Sequence, residues 1–302
     1  MQFGVFTFSR SPYQEIARHF RQAEEMGFDS AWVDDDLLVP EYGDLEPWSL
    51  LAALSRDTQR MQLGTMVSAI PFRPPVFLAV QAITVNLISE GRAALGLGSG
   101  GGEHRFDAFG HAAWGGRERA ERLEEQAAIL APLLRGETIN HTGKHYTIEN
   151  VHIPGAELAR KPPLVVAAHG DRALRVAARY ADGWNCLTGI VFPESDPPVE
   201  MTLQESVAAV KRLSERLDEF CAEIGRDPRE VRRSVQGLKS SPDPLSSLDA
   251  FDEVVGAYEE AGIDEIILYW PPVDLAFGGW QPIPRERQAT YERIATERIA
   301  SR

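Results

Sequence analysis

The chain has 302 residues, 43% of them hydrophobic and 25% charged, an ordinary globular composition with material for a large core. Its 45 acidic residues against 31 basic ones give a formal charge of −14, which repels phosphate backbones and anionic lipid. With no run of basic residues, nucleic acid and membrane surfaces are excluded as expected partners and small molecules are favoured. Neither a signal-peptide pattern nor a bilayer-length apolar stretch is present, so a cytoplasmic protein is expected. The two cysteines, Cys186 and Cys221, read as buried thiols, and no metal site is expected.

In chain order, apolar runs predict strands at 2–8, 29–35, 61–68, 92–98, 163–168, 183–187, 231–237 and 264–270. Amphipathic stripes between them predict helices at 13–26, 75–89, 117–135, 171–181, 202–224 and 248–262, with a closing helix near 284–300. In 202–224 the stripe is Val207, Val210, Leu213, Leu217 and Phe220. Gly27 and Gly262 follow helices and precede strands, the place of a left-handed C-cap. Strands that are apolar on both faces belong to a parallel sheet covered by helices. Eight such units close most economically as a (β/α)8 TIM barrel, one domain over 1–302; an open doubly wound sheet is the alternative.

Four segments exceed the minimal repeat. Residues 138–153 alternate polar and apolar around Thr142-Gly143 and predict a hairpin inserted before the fifth strand. Residues 189–201 and 271–284 are rich in Pro and Gly and follow the sixth and eighth strands; the fourth segment is the glycine run Gly98–Gly102. All but the hairpin leave the carboxyl end of a strand, the face on which such barrels carry their sites. A main chain without Cβ atoms can approach a ligand closely and turn its N–H groups toward it; a flexible turn is the plainer reading. Gly96, Gly98 and Gly101 satisfy G-x-G-x-x-G, but Arg105, Phe106 and another glycine stand where a dinucleotide site needs a helix to open.

Taken together, "GFDSAWVDDDL", "LGTMVSAIPFRPPVFLAVQAITVNLISEGRAALGLGSGGGEHRFDAFG", "RAERLEEQ" and "PPLVVAAHGDRALRVAARYADGWN" resemble the luciferase-like monooxygenase superfamily, whose members bind flavin or the deazaflavin coenzyme F420. The resemblance implies a TIM barrel with a segment inserted before strand five. It also implies a bulge after strand three with a non-proline cis peptide under the cofactor ring, at Ser68-Ala69 or one bond later. FMN-binding relatives commonly carry Arg in the loop after strand four and a Ser-rich turn after strand five. This chain has Ser99 and "AAHGDRAL" there, which resembles the deazaflavin-using branch. The implied cofactor is F420, with FMN as the alternative, and a separate enzyme would reduce it. Relatives often form homodimers, but no stripe in the sequence stands out as the contact.

By that resemblance Ser68, Ala69, Gly98, Ser99, Gly100, Ala168, His169 and Gly170 are the candidate cofactor contacts, the last at the amino end of a helix whose dipole suits a phosphodiester. Some deazaflavin relatives place a His after the Asp that ends strand two, and a Glu in the glycine loop. Here Asp35 is followed by Asp36, and Gly101 stands in the loop, so that acid/base apparatus does not transfer intact. Asp36 and His104 are the remaining catalytic candidates, each with a plain loop or capping role as its rival. Phe6 and Trp270 are candidate substrate walls, while Trp32 and Trp184 read as core. Among Arg117, Arg119 and Arg122, salt bridges to Glu118, Glu121 or Glu124 are favoured over an anionic ligand. The expected activity is hydride transfer between F420 and a small organic substrate. An FMN-dependent monooxygenase and a non-catalytic cofactor-binding protein are the alternatives.

Overall fold

The computed structural model describes residues 1–9, 12–35, 37, 45–100, 110, 113–188, 190–191, 199–237, 240–241, 243–270, 273–276, 279–282 and 285–301. Eight parallel strands close a barrel in sequence order: β1 (Gln2–Thr7), β2 (Ser30–Val33), β3 (Gln62–Ala69), β4 (Ala93–Gly98), β5 (Leu164–Ala167), β6 (Gly183–Leu187), β7 (Arg232–Gln236) and β8 (Glu265–Tyr269). Pairing of Gln2 with Glu265 and of Gly4 with Ser30 fixes β1 between its neighbours and completes the ring. The open-sheet alternative is thereby excluded.

Helices α1 (Tyr13–Glu25), α2 (Pro47–Asp57), α3 (Pro75–Ile88), α4 (Gly116–Leu134), α5 (Asp171–Tyr180), α6 (Leu203–Glu223), α7 (Leu248–Glu260) and α8 (Arg285–Ile294) surround it. Seven match the sequence stripes, and α2 is the one that no stripe announced. Its start is nonetheless well specified: the Glu46 carboxylate accepts from the N–H groups of Trp48 (3.3 Å) and Ser49 (2.7 Å), and Pro47 occupies the first turn. Gly27 and Gly262 sit at φ +89° and +79°, the left-handed geometry their positions demanded.

Alternation along the strands divides two cores. Phe3 and Val5 point outward into the layer between barrel and helices, with Leu63, Leu95 and Ile266. Phe6, Trp32, Met66, Ala94, Val165 and Ile267 point inward and plug the barrel. Trp32 is accommodated because Gly64 lies against it; a Cβ there would stand 2.6 Å from Trp32 Cζ3. Below this plug Trp32 Nε1–H donates to Ser30 Oγ (2.8 Å), Ser30 donates to buried Glu265, and Arg232 reaches the other Glu265 oxygen at 3.2 Å.

Ile139–Thr142 and Thr147–Val151 form an antiparallel hairpin ahead of β5. Glu125 of α4 accepts from the N–H groups of Lys144, His145 and Tyr146 and so ties the hairpin turn to the helix. Beyond β6, Val199–Thr202 pairs with Ile190–Val191 and Ser240–Ser241, and beyond β8 Val273–Ala276 pairs with Gly279–Pro282. No helix among the described residues is long and apolar enough to cross a membrane.

Candidate active site

At the carboxyl end of the barrel a cavity of about 300 Å³ opens, lined by Phe6 of β1, Asp34 and Asp35 after β2, residues of β3 and the turn beyond it, Gly98–Gly100 and Ala167 with His169. Its floor is an irregularity in β3. Thr65 pairs with Leu95 and Ser68 with Leu97, so two residues of β3, Met66 and Val67, stand opposite one of β4. The peptide between them is cis, two bonds earlier than the Ser68-Ala69 position the resemblance implied. Side-chain contacts fix the bulge there. The Thr65 hydroxyl donates to the Gly96 carbonyl (3.2 Å) and hydrogen-bonds Ser68 Oγ (3.0 Å), while Trp48 Nε1–H donates to the same Ser68 oxygen (3.0 Å). Ser68 is therefore fully buried, a clamp behind the bulge, and it is Met66, Val67 and Ala69 that line the cavity.

Asp35 ends β2 in a buried ion network. Arg73, 6% exposed, grips both of its oxygens, Nη2–H meeting Oδ1 at 3.1 Å, and the Ala69 N–H donates to Oδ2 at 3.0 Å. The same guanidinium donates to Glu46 at 2.6 Å, so the carboxylate that caps α2 also braces the site. Burial pushes the Asp35 carboxyl up to about 6, and the charge and hydrogen bonds of Arg73 pull the other way, leaving a carboxylate at neutral pH. Neighbouring Asp34 accepts from the Ser9 N–H at 2.7 Å. Asp36 lies outside the described residues.

Opposite the bulge runs the glycine loop. A Cβ on Gly98 would overlap Val67, and one on Gly96 would overlap the Thr65 carbonyl, so β4 and the bulge approach as only glycine permits. Gly98, Ser99 and Gly100 all line the cavity, Gly100 at φ +73°. The Gly100 carbonyl accepts from Arg119 Nη1 at 3.2 Å. Among the described residues the next helix after the loop is α4, which begins at Gly116. His104 falls among residues 101–109, outside the described residues. Arg117 pairs with Glu121 and Arg122 with Glu118, the salt bridges the sequence favoured.

After β5, Ala167 lines the cavity, whereas Ala168 is buried, its N–H donating to the Asn185 carbonyl and its own carbonyl accepting from Trp184 Nε1. His169 lines the cavity, and Gly170 N-caps α5, which has no side-chain cap. His169 Nε2 accepts from the Leu187 N–H at 2.9 Å, and burial lowers its pKa, so the ring is neutral with its proton on Nδ1. The imidazole is thus set up as a hydrogen-bond donor rather than a base.

Phe6 borders the cavity and meets Phe8 and Tyr269 edge-on, at 4.8 and 5.5 Å between ring centroids. Trp270 is not among the lining residues; its indole is buried against Tyr291 of α8 at 5.0 Å. The sequence reading missed Arg73, Glu46, Asp34 and Phe72. An arginine set in "PFRPP" directly after a buried strand, and a Glu before Pro at an unannounced helix start, were the available signals.

The pattern of the luciferase-like monooxygenase family matches residues 1–196, and the chain belongs to that family. It is 27% identical over 268 residues to an F420-dependent glucose-6-phosphate dehydrogenase of Amycolatopsis mediterranei, covering 85% of this chain and 80% of that protein. A 5,10-methylenetetrahydromethanopterin reductase of Methanolobus tindarius is 27% identical over 280 residues, covering 91% and 76%. Among solved structures, the coenzyme F420-dependent tetrahydromethanopterin reductase of Methanopyrus kandleri superposes with TM-score 0.72 at 16% identity, covering 98% of this chain and 97% of that one. An F420-dependent secondary alcohol dehydrogenase gives 0.74 at 15%, covering 98% of each chain; at such identities these two likenesses speak for the fold alone.

Proposed function

We propose that the protein is an F420-dependent oxidoreductase that moves a hydride between the deazaflavin and a small organic substrate. The observation that carries this reading is the facing of main chain at Gly98–Gly100 by the bulge at Met66 and Val67, across a cavity of about 300 Å³. That cleft fits the coenzyme in two parts. Met66, Val67, Ala69, Phe72 and Phe6 offer an apolar seat for a flat ring system. The N–H groups of the glycine loop, with the uncapped amino end of α5 behind Gly170, suit the phosphodiester of its tail. The relative named for F420 use, 27% identical over 268 residues, supports the same cofactor.

When bound, the deazaflavin supplies a two-electron hydride carrier, and the protein supplies position, electrostatics and exclusion of water. Arg73 and the Ala69 N–H hold Asp35 in place, which makes it a brace for the bulge rather than a proton shuttle. His169, which lines the cavity with Nε2 already taken by the Leu187 N–H, would offer its Nδ1–H to a bound molecule. The proton that accompanies the hydride is assigned to Asp36 or His104. In this reading 1–302 works as one luciferase-like barrel in the cytoplasm, as a homodimer, and a separate enzyme reduces the coenzyme.

The test is anaerobic turnover. Apo-protein given reduced F420 and a panel of ketones, aldehydes and activated alkenes is expected to regenerate the oxidised deazaflavin absorbance without oxygen. Turnover that appears only with reduced FMN and oxygen overturns the reading in favour of a monooxygenase.

A further inference from the structure

We infer that Gln126 of α4, backed by Tyr146 of the inserted hairpin, is a positioning residue that holds the cavity wall beyond β3 in place. That wall is the short 3₁₀ turn Ile70–Phe72 with its flanks: Ala69 and Phe72 line the cavity, and Arg73 grips Asp35. The turn has no side-chain cap at its start, and Pro71 within it lacks an N–H. One amide holds it from behind. Gln126 Nε2–H donates to the Ile70 carbonyl at 3.0 Å and to the Arg73 carbonyl at 3.3 Å, so a single side chain binds both ends of the turn. The same nitrogen donates to the Tyr146 hydroxyl at 3.0 Å. The preceding residue, Glu125, accepts from the N–H groups of the hairpin turn, that of Tyr146 at 3.1 Å among them. Two successive residues of α4 therefore lock the hairpin and the cavity wall to one another.

The chemistry of the amide separates this role from plain packing. Gln126 is fully buried, and its Oε1 has no hydrogen-bond partner among the described residues. A buried acceptor left unpaired is a cost that an apolar side chain of the same size would not carry, so the donor end is what the amide contributes. Reversed, the amide would set its oxygen against two carbonyl oxygens; the orientation is fixed by its partners. Gln126 is not among the residues lining the cavity, so it acts on the cleft only through the turn it holds. A binding wall works as one only when its side chains are held to within about 0.5 Å, and Gln126 does this for Ala69 and Phe72. The consequence for the coenzyme rests on the function proposed above; the holding of the turn does not.

Amide hydrogen exchange of the full-length apo-protein, read by mass spectrometry over residues 69–73, and F420 affinity by fluorescence titration test the assignment together. Gln126→Met keeps the bulk and removes the donor. Exchange over 69–73 is expected to quicken about tenfold and the F420 dissociation constant to rise about tenfold, the loss of hydrogen bonds of ordinary strength. Val210→Ala, a core change in α6, reports the effect of lost stability alone and is expected to leave both readings at their wild-type values. Gln126→Glu donates only when protonated, so its affinity relative to wild type should recover as the pH is lowered from about 9 to about 6, which Gln126→Met cannot do. Tyr146→Phe, the milder change that serves should Gln126→Met fail to fold, is expected to shift both readings the same way by about threefold. Unchanged exchange over 69–73 in the folded variant, a change no larger than that of Val210→Ala, or quickened exchange with unaltered F420 affinity each overturns the inference. Quickened exchange in a protein whose wild type binds no F420 upholds the holding of the turn and overturns the proposed cofactor instead.

Discussion

The two ends of the barrel each bury a carboxylate beside an arginine, and they use the same chemistry for different ends. At the floor, Glu265 is satisfied by Ser30 and Arg232 and sealed beneath Trp32, so nothing can reach it. At the mouth, Asp35 is gripped as firmly by Arg73 and the Ala69 N–H, yet it lines the cavity and its network runs on to Glu46 and the helices outside. Burial raises the pKa of both carboxyl groups. A perturbed acid is thus no mark of a site by itself; what distinguishes the mouth is open space faced by bare main chain.

Breaking that comparison begins with Arg73→Met, the largest expected effect. It strands Asp35 in a site where the side chain has no solvent, at a cost of about 3–5 kcal/mol in thermal or denaturant unfolding. The loss should shrink in acid, as Asp35 takes up a proton, and Arg73→Lys should recover part of it. Gly98→Ala forces a Cβ into Val67 and displaces the bulge; about 1–3 kcal/mol of stability should go, with at least a tenfold loss of cofactor affinity by fluorescence titration.

His169 gives a smaller effect with a defined sign. Unfolded, its imidazole takes a proton near 6.5; folded, it does so only at lower pH because the ring is buried. Acid therefore favours the unfolded chain: the contribution is complete above 6.5 and is lost as pH falls through the folded value, with a slope of at most about 1.4 kcal/mol per pH unit. A His169→Asn variant should flatten that part of the stability–pH curve. Smallest of all is Glu265→Gln at the floor. It keeps the bond to Ser30, and Arg232, 40% exposed, remains solvated, so stability should change by less than about 1 kcal/mol and cofactor affinity not at all.

The barrel was legible because parallel strands buried on both faces read as unbroken apolar runs, and seven helices showed a stripe against a polar face. Helix α2 gave no such contrast: Ser49, Ala52 and Ala53 on its outer side differ little from the buried Leu50, Leu51 and Leu54. The glycine loop and His169 were legible as main-chain and strand-end features that line the cavity. Ser68 and Ala168 stand at the right strand ends, yet a shift of one residue along the chain turns a side chain from cavity to core, and it is Ala69 and Ala167 beside them that line the cavity. The bulge in β3 is backed by Thr65, Gly96, Trp48 and Ser68 meeting across three elements, information no single stretch contains.

The central claim is that bare main chain at Gly98–Gly100 and the bulge facing it form the seat of a deazaflavin. Calorimetric titration of the apo-protein with F420 and with FMN, on wild type and Gly98→Ala side by side, tests it most directly. The account predicts tight binding of F420 by wild type, weak binding of FMN, and loss of the F420 heat in Gly98→Ala. Equal F420 affinity in the two proteins, or a preference for FMN, would contradict it.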